Sequence, residues 1–374
     1  MIDRSVAWVS QVERGVRRVD RMSVLETIAD ALETPLAELA AEAPVVAAVS
    51  APPPDADDLR LVLSGSHALA AMLRPGPPPD LDGLPADVDR AWAFTHAGRY
   101  HELTGLLADL LPRLERAARA ASAPDRTQAS ALLAAAYQAC SAALVKLGQA
   151  EAAWVAADRA MSAAERAGDP YLVAAGAFRL GFVFLNARRF DQAEETARTA
   201  AEALDGRVDA DQAALSLWGA LTLQRALVAA RAGHADAAYE FIEQARQAAV
   251  RLGPGRNDYN TEFGPLNVAV HEVHVAVELG DAGLAIRAAA AVDTSTLSTE
   301  RQARMLVDVA RAHAQRRQPA EAVATLLRAE QLTPEQVRNH PVVRQTVADL
   351  LLTQDPPGAD LQALSARIAA TPRS

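Results

Sequence analysis

The sequence predicts an all-α protein, and three observations predict it. Half of the 374 residues are hydrophobic but only 4% are aromatic. Alanine and leucine must therefore supply most of the core, which favours close helix–helix packing over a β-sandwich. From about residue 84, apolar residues recur at helical spacing nearly to the end of the chain. Along that stretch the same short joint recurs, the mark of an array of helical hairpins.

The first element spans residues 1–43. In Ser5-Val-Ala-Trp-Val-Ser-Gln-Val-Glu-Arg-Gly15, Val9 and Val12 face a core, Gln11 and Arg14 point away, and Gly15 stops the helix. Ser23 with Glu26 reads as a capping box for the next helix. Leu25, Ile28, Ala29 and Leu32 then recur at i, i+3, i+4 and i+7. Thr34-Pro35 breaks that helix, and Leu36 and Leu39 open a short final one.

Taken together, Glu13-Arg-Gly15 and Leu25-Glu-Thr-Ile-Ala-Asp-Ala-Leu32 resemble the C-terminal half of a Cro/phage-repressor-type (XRE-like) helix-turn-helix domain. The resemblance implies a recognition helix in the major groove of operator DNA. By position Ser5, Val6, Ala7 and Gln11 would face base edges: Gln can pair bidentately with adenine, and Ala7 can touch a thymine methyl. Arg14, Arg17 and Arg18 would reach phosphates. The family has two helices before the recognition helix, whereas this chain begins at Met1 inside the turn between them. The expectation is an N-terminally truncated unit, or a start that lies upstream.

Residues 44–83 read as a Pro-rich linker with a short helix. Pro44-Val-Val-Ala-Ala-Val-Ser-Ala-Pro-Pro-Pro54 is stiffened by its prolines, and Arg74-Pro-Gly-Pro-Pro-Pro79 breaks the chain again.

Residues 84–370 form the array. Joints fall at Ala97-Gly-Arg-Tyr, Leu147-Gly-Gln-Ala, Ala187-Arg-Arg-Phe, Ala232-Gly-His-Ala, Leu279-Gly-Asp-Ala and Arg316-Arg-Gln-Pro. The second residue of each marks it: Gly98, Gly148, Arg188, Gly233, Gly280 and Arg317. Glycine there permits a left-handed helix cap. Five residues after the markers stand Leu103, Ala153, Ala193, Ala238, Ala285 and Ala322. A small residue one turn into the second helix lets the two helices close together.

This pattern resembles the tetratricopeptide repeat. The third unit matches best, with Leu180-Gly181, Phe184, the Arg188 joint, Phe190, Ala193 and Ala200 at the family's positions. Spacings are mostly longer than the family's period of about 34 residues. The resemblance implies an α-solenoid whose first helices line a concave groove. On that pattern the groove positions lie 13, 9, 6 and 2 residues before each marker. They are Asn267, His271, His274 and Glu278 in the fifth unit, and Arg304, Asp308, Arg311 and Gln315 in the sixth. Earlier units contribute Arg179, Asn186, Gln224 and Arg231. Asn amides can bond an extended peptide in both directions, and Arg can fork onto a carboxylate. The same positions also read as a solvated face with ordinary ion pairs. His271-x-x-His274 with Glu278 has one-turn metal-ligand spacing but no further ligand or supporting shell, and no metal is expected.

Composition excludes several classes. A formal net charge of -10 argues against a chain that coats nucleic acid over its whole surface, while leaving room for a small basic patch. Lys146 is the sole lysine and Cys140 the sole cysteine, so no intrachain disulfide or Cys-rich zinc site can form. The N-terminus has no apolar signal core, and no stretch is expected to reach the roughly 18 apolar residues of a membrane span. There is no P-loop, nucleotide-binding glycine triplet, nucleophile elbow or His-Glu-x-x-His. Gly253-Pro-Gly-Arg256 and Asn257-Asp-Tyr-Asn260 read as loop and turn chemistry. The expectation is a cytoplasmic, non-enzymatic transcriptional regulator without a cofactor. It would bind operator DNA and a peptide or small-molecule effector, act away from membranes and form a homodimer. A protein-interaction scaffold without DNA binding is the alternative.

Overall fold

The structure, a computed structural model, describes residues 54–64, 81–354 and 356–369, with the single positions Val12, Val24, Ile28, Ala31, Leu32, Leu69 and Leu73. The chain forms two compact units, Met1–Ala51 and Pro52–Ser374. In the first unit the five described residues are helical; Val12, Val24 and Ile28 are half-buried, Leu32 exposed. Leu32 was expected in the core stripe. The expected base and phosphate contacts, Ser5, Val6, Ala7, Gln11, Arg14, Arg17 and Arg18, lie outside the described residues.

The second unit is all-α among its described residues, with no strand. Helix α1, Pro54–Val62, has Pro at its head and buries Leu59, Val62 and Leu63. It packs on α3, Tyr100–Ala120. What the sequence suggested as linker is thus partly core, because an i, i+3, i+4 apolar stripe follows the last proline of the run.

From residue 84 the helices come in consecutive antiparallel pairs. The first members are α2 (Leu84–Ala97), α4 (Ala123–Lys146), α6 (Pro170–Asn186), α8 (Gln212–Ala232), α10 (Pro265–Leu279) and α12 (Thr299–Gln315). Their second members are α3, α5 (Ala150–Ala167), α7 (Phe190–Glu202), α9 (Ala235–Leu252), α11 (Ala282–Ala290) and α13 (Pro319–Leu332). Helices α14 (Pro334–Asn339), α15 (Pro341–Thr353) and α16 (Ala359–Ala369) follow.

One backbone device makes every pair. All six markers have positive φ, from 58° at Arg188 and Arg317 to 92° at Gly233. At each, the marker N–H donates three residues back and the next N–H five residues back. Gly98 to Thr95 with Arg99 to Phe94, and Arg188 to Leu185 with Arg189 to Phe184, are two examples. This doubled bond satisfies the last carbonyls of the first helix and reverses the chain. Two of the six joints hold arginine in the left-handed region, so the hydrogen bonds and not glycine alone define the turn. The residues five places on, Leu103, Ala153, Ala193, Ala238, Ala285 and Ala322, are all fully buried in the pair interface.

The first members also touch one another in sequence, α2 to α4, α4 to α6, and on to α12, and α12 returns to α2. Six helices thus close a ring. The C-terminal helices lock the closure. The Glu335 carboxylate, at the start of α14, accepts the backbone N–H groups of Tyr100 (2.7 Å) and His101 (3.1 Å) at the head of α3. Thr333 packs on Gly98 and Pro341 on Gly148, where an added Cβ would lie 2.8 Å from either side chain. Inside the ring wall, Phe263 sits so close to Gly219 that a Cβ there would lie 2.0 Å from its ring.

Two ring helices, α4 and α8, are by length and composition long and apolar enough to cross a membrane, where the sequence reading expected no stretch to reach that length. Both lie mostly buried within the packed helices.

Candidate functional site

The inner faces of the ring enclose a cavity of about 80 Å3. One part of its wall is apolar, with Ala142, Val145, Phe178, Phe182, Leu227 and Val270; another carries an unusual density of charge. Helix α4 supplies Lys146, α6 Arg179, α10 His271 and His274, and α12 Glu300, Arg301, Arg304 and Asp308, while α2 adds Trp92 and His96.

The charges are arranged in two clusters. In the first, Lys146 pairs with Glu300 at 3.2 Å, and Arg301 with Glu262 at 3.1 Å. Burial alone would raise the Glu300 carboxyl, but Lys146, Arg301 and Arg304 outweigh it and hold the group well below the usual carboxylate range. Burial pushes the Lys146 ammonium down, and Glu300 offsets part of that. In the second cluster His274 Nδ1 lies 2.6 Å from an Asp308 oxygen, and Arg311 meets both Glu278 (3.0 Å) and Asp308 (3.3 Å). Burial would raise Asp308 too; His274, Arg304 and Arg311 bring it down to about 2. Such networks are stable only when each buried charge finds a partner.

Arg179 stands apart. It is buried, yet among the described residues no carboxylate forms an ion pair with it. Its guanidinium lies 4.7 Å from the Trp92 ring centroid and 4.9 Å from that of Phe178. Nη2 donates to the carbonyl oxygens of Asn260 (2.7 Å) and Tyr259 (3.4 Å), and Nε has no hydrogen-bond partner. Burial, with Arg301 adding to it, pushes the guanidinium down to about 9. The Asn260 carbonyl is aimed by a strained segment. Tyr259, Asn260 and Glu262 all have positive φ, at 50°, 58° and 55°, a state that non-glycine residues adopt at some cost and chiefly at functional sites. Two more buried polar atoms on the wall have no hydrogen-bond partner, Trp92 Nε1 and His274 Nε2, the latter 3.7 Å from a Glu278 oxygen. With the His274 Nδ1–H donating to Asp308, the neutral ring leaves Nε2 as an acceptor.

The structure brings Arg179, His271, His274, Arg304 and Asp308 together on this wall. Other groove positions are engaged elsewhere. Gln224, Asn186 and Gln315 donate their amides to the carbonyls of Phe178 (2.8 Å), Val145 (3.0 Å) and Val277 (3.2 Å) on adjoining ring helices. Gly181 leaves the space that Gln224 fills, a local reason for the Leu180-Gly181 pair. Asn267 is buried, its backbone carbonyl accepting from His271 Nδ1 at 2.9 Å. Glu278 meets both Arg311, at 3.0 Å, and Arg231, at 3.8 Å. The face expected to line an open groove is therefore largely interior, because the ring closes over it. Among the described residues, no three His, Cys, Asp or Glu side chains converge to hold a metal.

Sequence reasoning missed Lys146, Glu300, Arg301, His96 and the 259–262 segment. One signal was present: the sole lysine of an arginine-rich chain stands two residues before a joint, as the groove rule requires, in a unit for which the rule was not applied. The turn reading of 257–260 was right about the backbone but gave no reason to look for a cavity wall.

The chain matches no protein-family model, and no curated protein matches it.

Proposed function

We propose that the chain is an effector-responsive transcriptional regulator. Its helical ring, a tetratricopeptide-like solenoid closed on itself, binds a small molecule in the central cavity, and its N-terminal helix-turn-helix-like unit binds operator DNA. The observation that carries the effector half is Arg179, a buried cation on the cavity wall that forms no ion pair with a carboxylate among the described residues, beside buried polar atoms without a hydrogen bond. Folding alone gives no reason to retain such groups, since each costs free energy when left unsatisfied. A cavity of about 80 Å3 favours a small molecule over a peptide. The DNA half rests on the sequence patterns Glu13-Arg-Gly15 and Leu25-Glu-Thr-Ile-Ala-Asp-Ala-Leu32.

In this reading the protein is cytoplasmic, non-enzymatic and homodimeric, and occupancy of the cavity shifts the population of ring shapes, which re-spaces two recognition helices across a palindrome. The test is a gel shift of the full chain on the gene's own promoter region. A sequence-selective, salt-sensitive shift supports the proposal. No such shift rejects the DNA half and leaves a binding scaffold.

A further inference from the structure

We propose that Arg179 anchors a small organic monocarboxylate inside the ring, with the hydrocarbon part of the ligand against Phe178, Phe182 and Leu227. This deepens the effector reading above by naming the chemical class.

The residues decide between anions. A guanidinium whose Nε has no hydrogen-bond partner matches a carboxylate, for which arginine is the best-suited side chain. Trp92 Nε1, also unpartnered, is a further donor on the same wall. The Trp92 and Phe178 rings flank the guanidinium, which limits its movement and keeps water from it. Glu262, Glu300 and Asp308 share the cavity, and their field opposes a multiply charged anion such as phosphate more than a single carboxylate. The apolar wall has no use for an inorganic ion but suits a short hydrocarbon. The cavity is small, about 80 Å3, which favours a short-chain acid, and butyrate serves as the probe. The Asn260 carbonyl, held by the strained 259–262 segment, accepts from Nη2 and so fixes the guanidinium before the ligand arrives.

The experiment uses the full chain and the single lysine. Growth on 15N-lysine gives one backbone amide signal, from Lys146 on the cavity wall. Butyrate, butyramide and inorganic phosphate are titrated against it, with affinities from calorimetry. Butyrate is expected to shift the signal and bind with a stoichiometry of one. Butyramide and phosphate are expected to bind at least tenfold more weakly. Arg179→Met is expected to weaken butyrate roughly 10- to 100-fold, the worth of hydrogen bonds to a charged group. Trp92→Phe, which keeps a ring but loses the N–H, is expected to weaken it several-fold. Should Arg179→Met fail to fold, Arg179→Lys keeps the charge without the fork and is expected to lose about tenfold. Unchanged affinity in the folded arginine variant, equal binding of butyramide, tighter binding of phosphate, or no butyrate binding overturns the proposal. None of these results bears on the promoter shift, so the carboxylate proposal and the DNA half fail separately.

Discussion

Single positions decide how tightly the ring wall is built. At Gly219 an added methyl would meet the Phe263 ring at 2.0 Å, and Phe263 is only 1% exposed, so the ring cannot swing aside. Gly219→Ala should destabilise the fold by about 1–3 kcal/mol in denaturant melts, despite alanine's better helix propensity. The double variant with Phe263→Leu should recover part of the loss, a non-additivity that marks direct contact. Asp308 is 1% exposed and joins His274, Arg311 and Arg304. Asp308→Asn leaves buried cations short of a counter-charge and should cost about 3–5 kcal/mol by the same melts. Acid should act through these groups. Asp308 is held at about 2 when folded against roughly 3.9 when unfolded, so its contribution is present above pH 4 and lost between about 4 and 2. His271 and His340 are pushed down to about 3, burial being the main cause for both. They take up protons only on unfolding, so stability also falls from about pH 6.5 towards 3. Both effects have the same sign. Denaturation midpoints measured from pH 8 to pH 4 should fall steadily below about pH 6.5, and His271→Gln should flatten the slope.

At the scale of elements, the six joints were legible in the sequence because their chemistry is local. A helix end, a left-handed residue and a small residue five places on lie within nine positions of one another. Arg188 and Arg317 were readable by position although neither is glycine. The polar stripe 267, 271, 274, 278 was legible for the same reason, since helical spacing puts it on one face. Its surroundings were not. Whether a polar face meets water or another helix depends on partners far along the chain, and His274 finds Asp308 on the next ring helix at 2.6 Å. The Glu335 latch is of this kind too. It caps the head of α3 from α14, doing from a distance what a local side chain does at an ordinary helix start. Glu335→Gln should lower stability by about 0.5–2 kcal/mol and speed hydrogen exchange at the Tyr100 and His101 amides more than elsewhere. Uniform acceleration would mean that the contact does not act locally.

At the scale of the whole molecule, the closure of α12 onto α2 converts a row of hairpins into a ring and its groove into a cavity. Nothing in the repeat pattern announces this, because closure depends on the accumulated turn of six units and on contacts more than 200 residues apart, such as Tyr100 with Glu335. Closure explains why cations and carboxylates of three helices and the 259–262 segment share one small volume, and it underlies the proposed effector site. Lys146 reports on it directly. Burial lowers its ammonium, so an accessible amine there would react faster than an ordinary lysine. The decisive measurement is the rate at which trinitrobenzenesulfonate labels the Lys146 peptide, followed by mass spectrometry in native buffer and in denaturant. A closed ring predicts native labelling slower by about a hundredfold or more, the ratio for an opening that costs about 3 kcal/mol. Equal rates in the two conditions would contradict the ring and the cavity together.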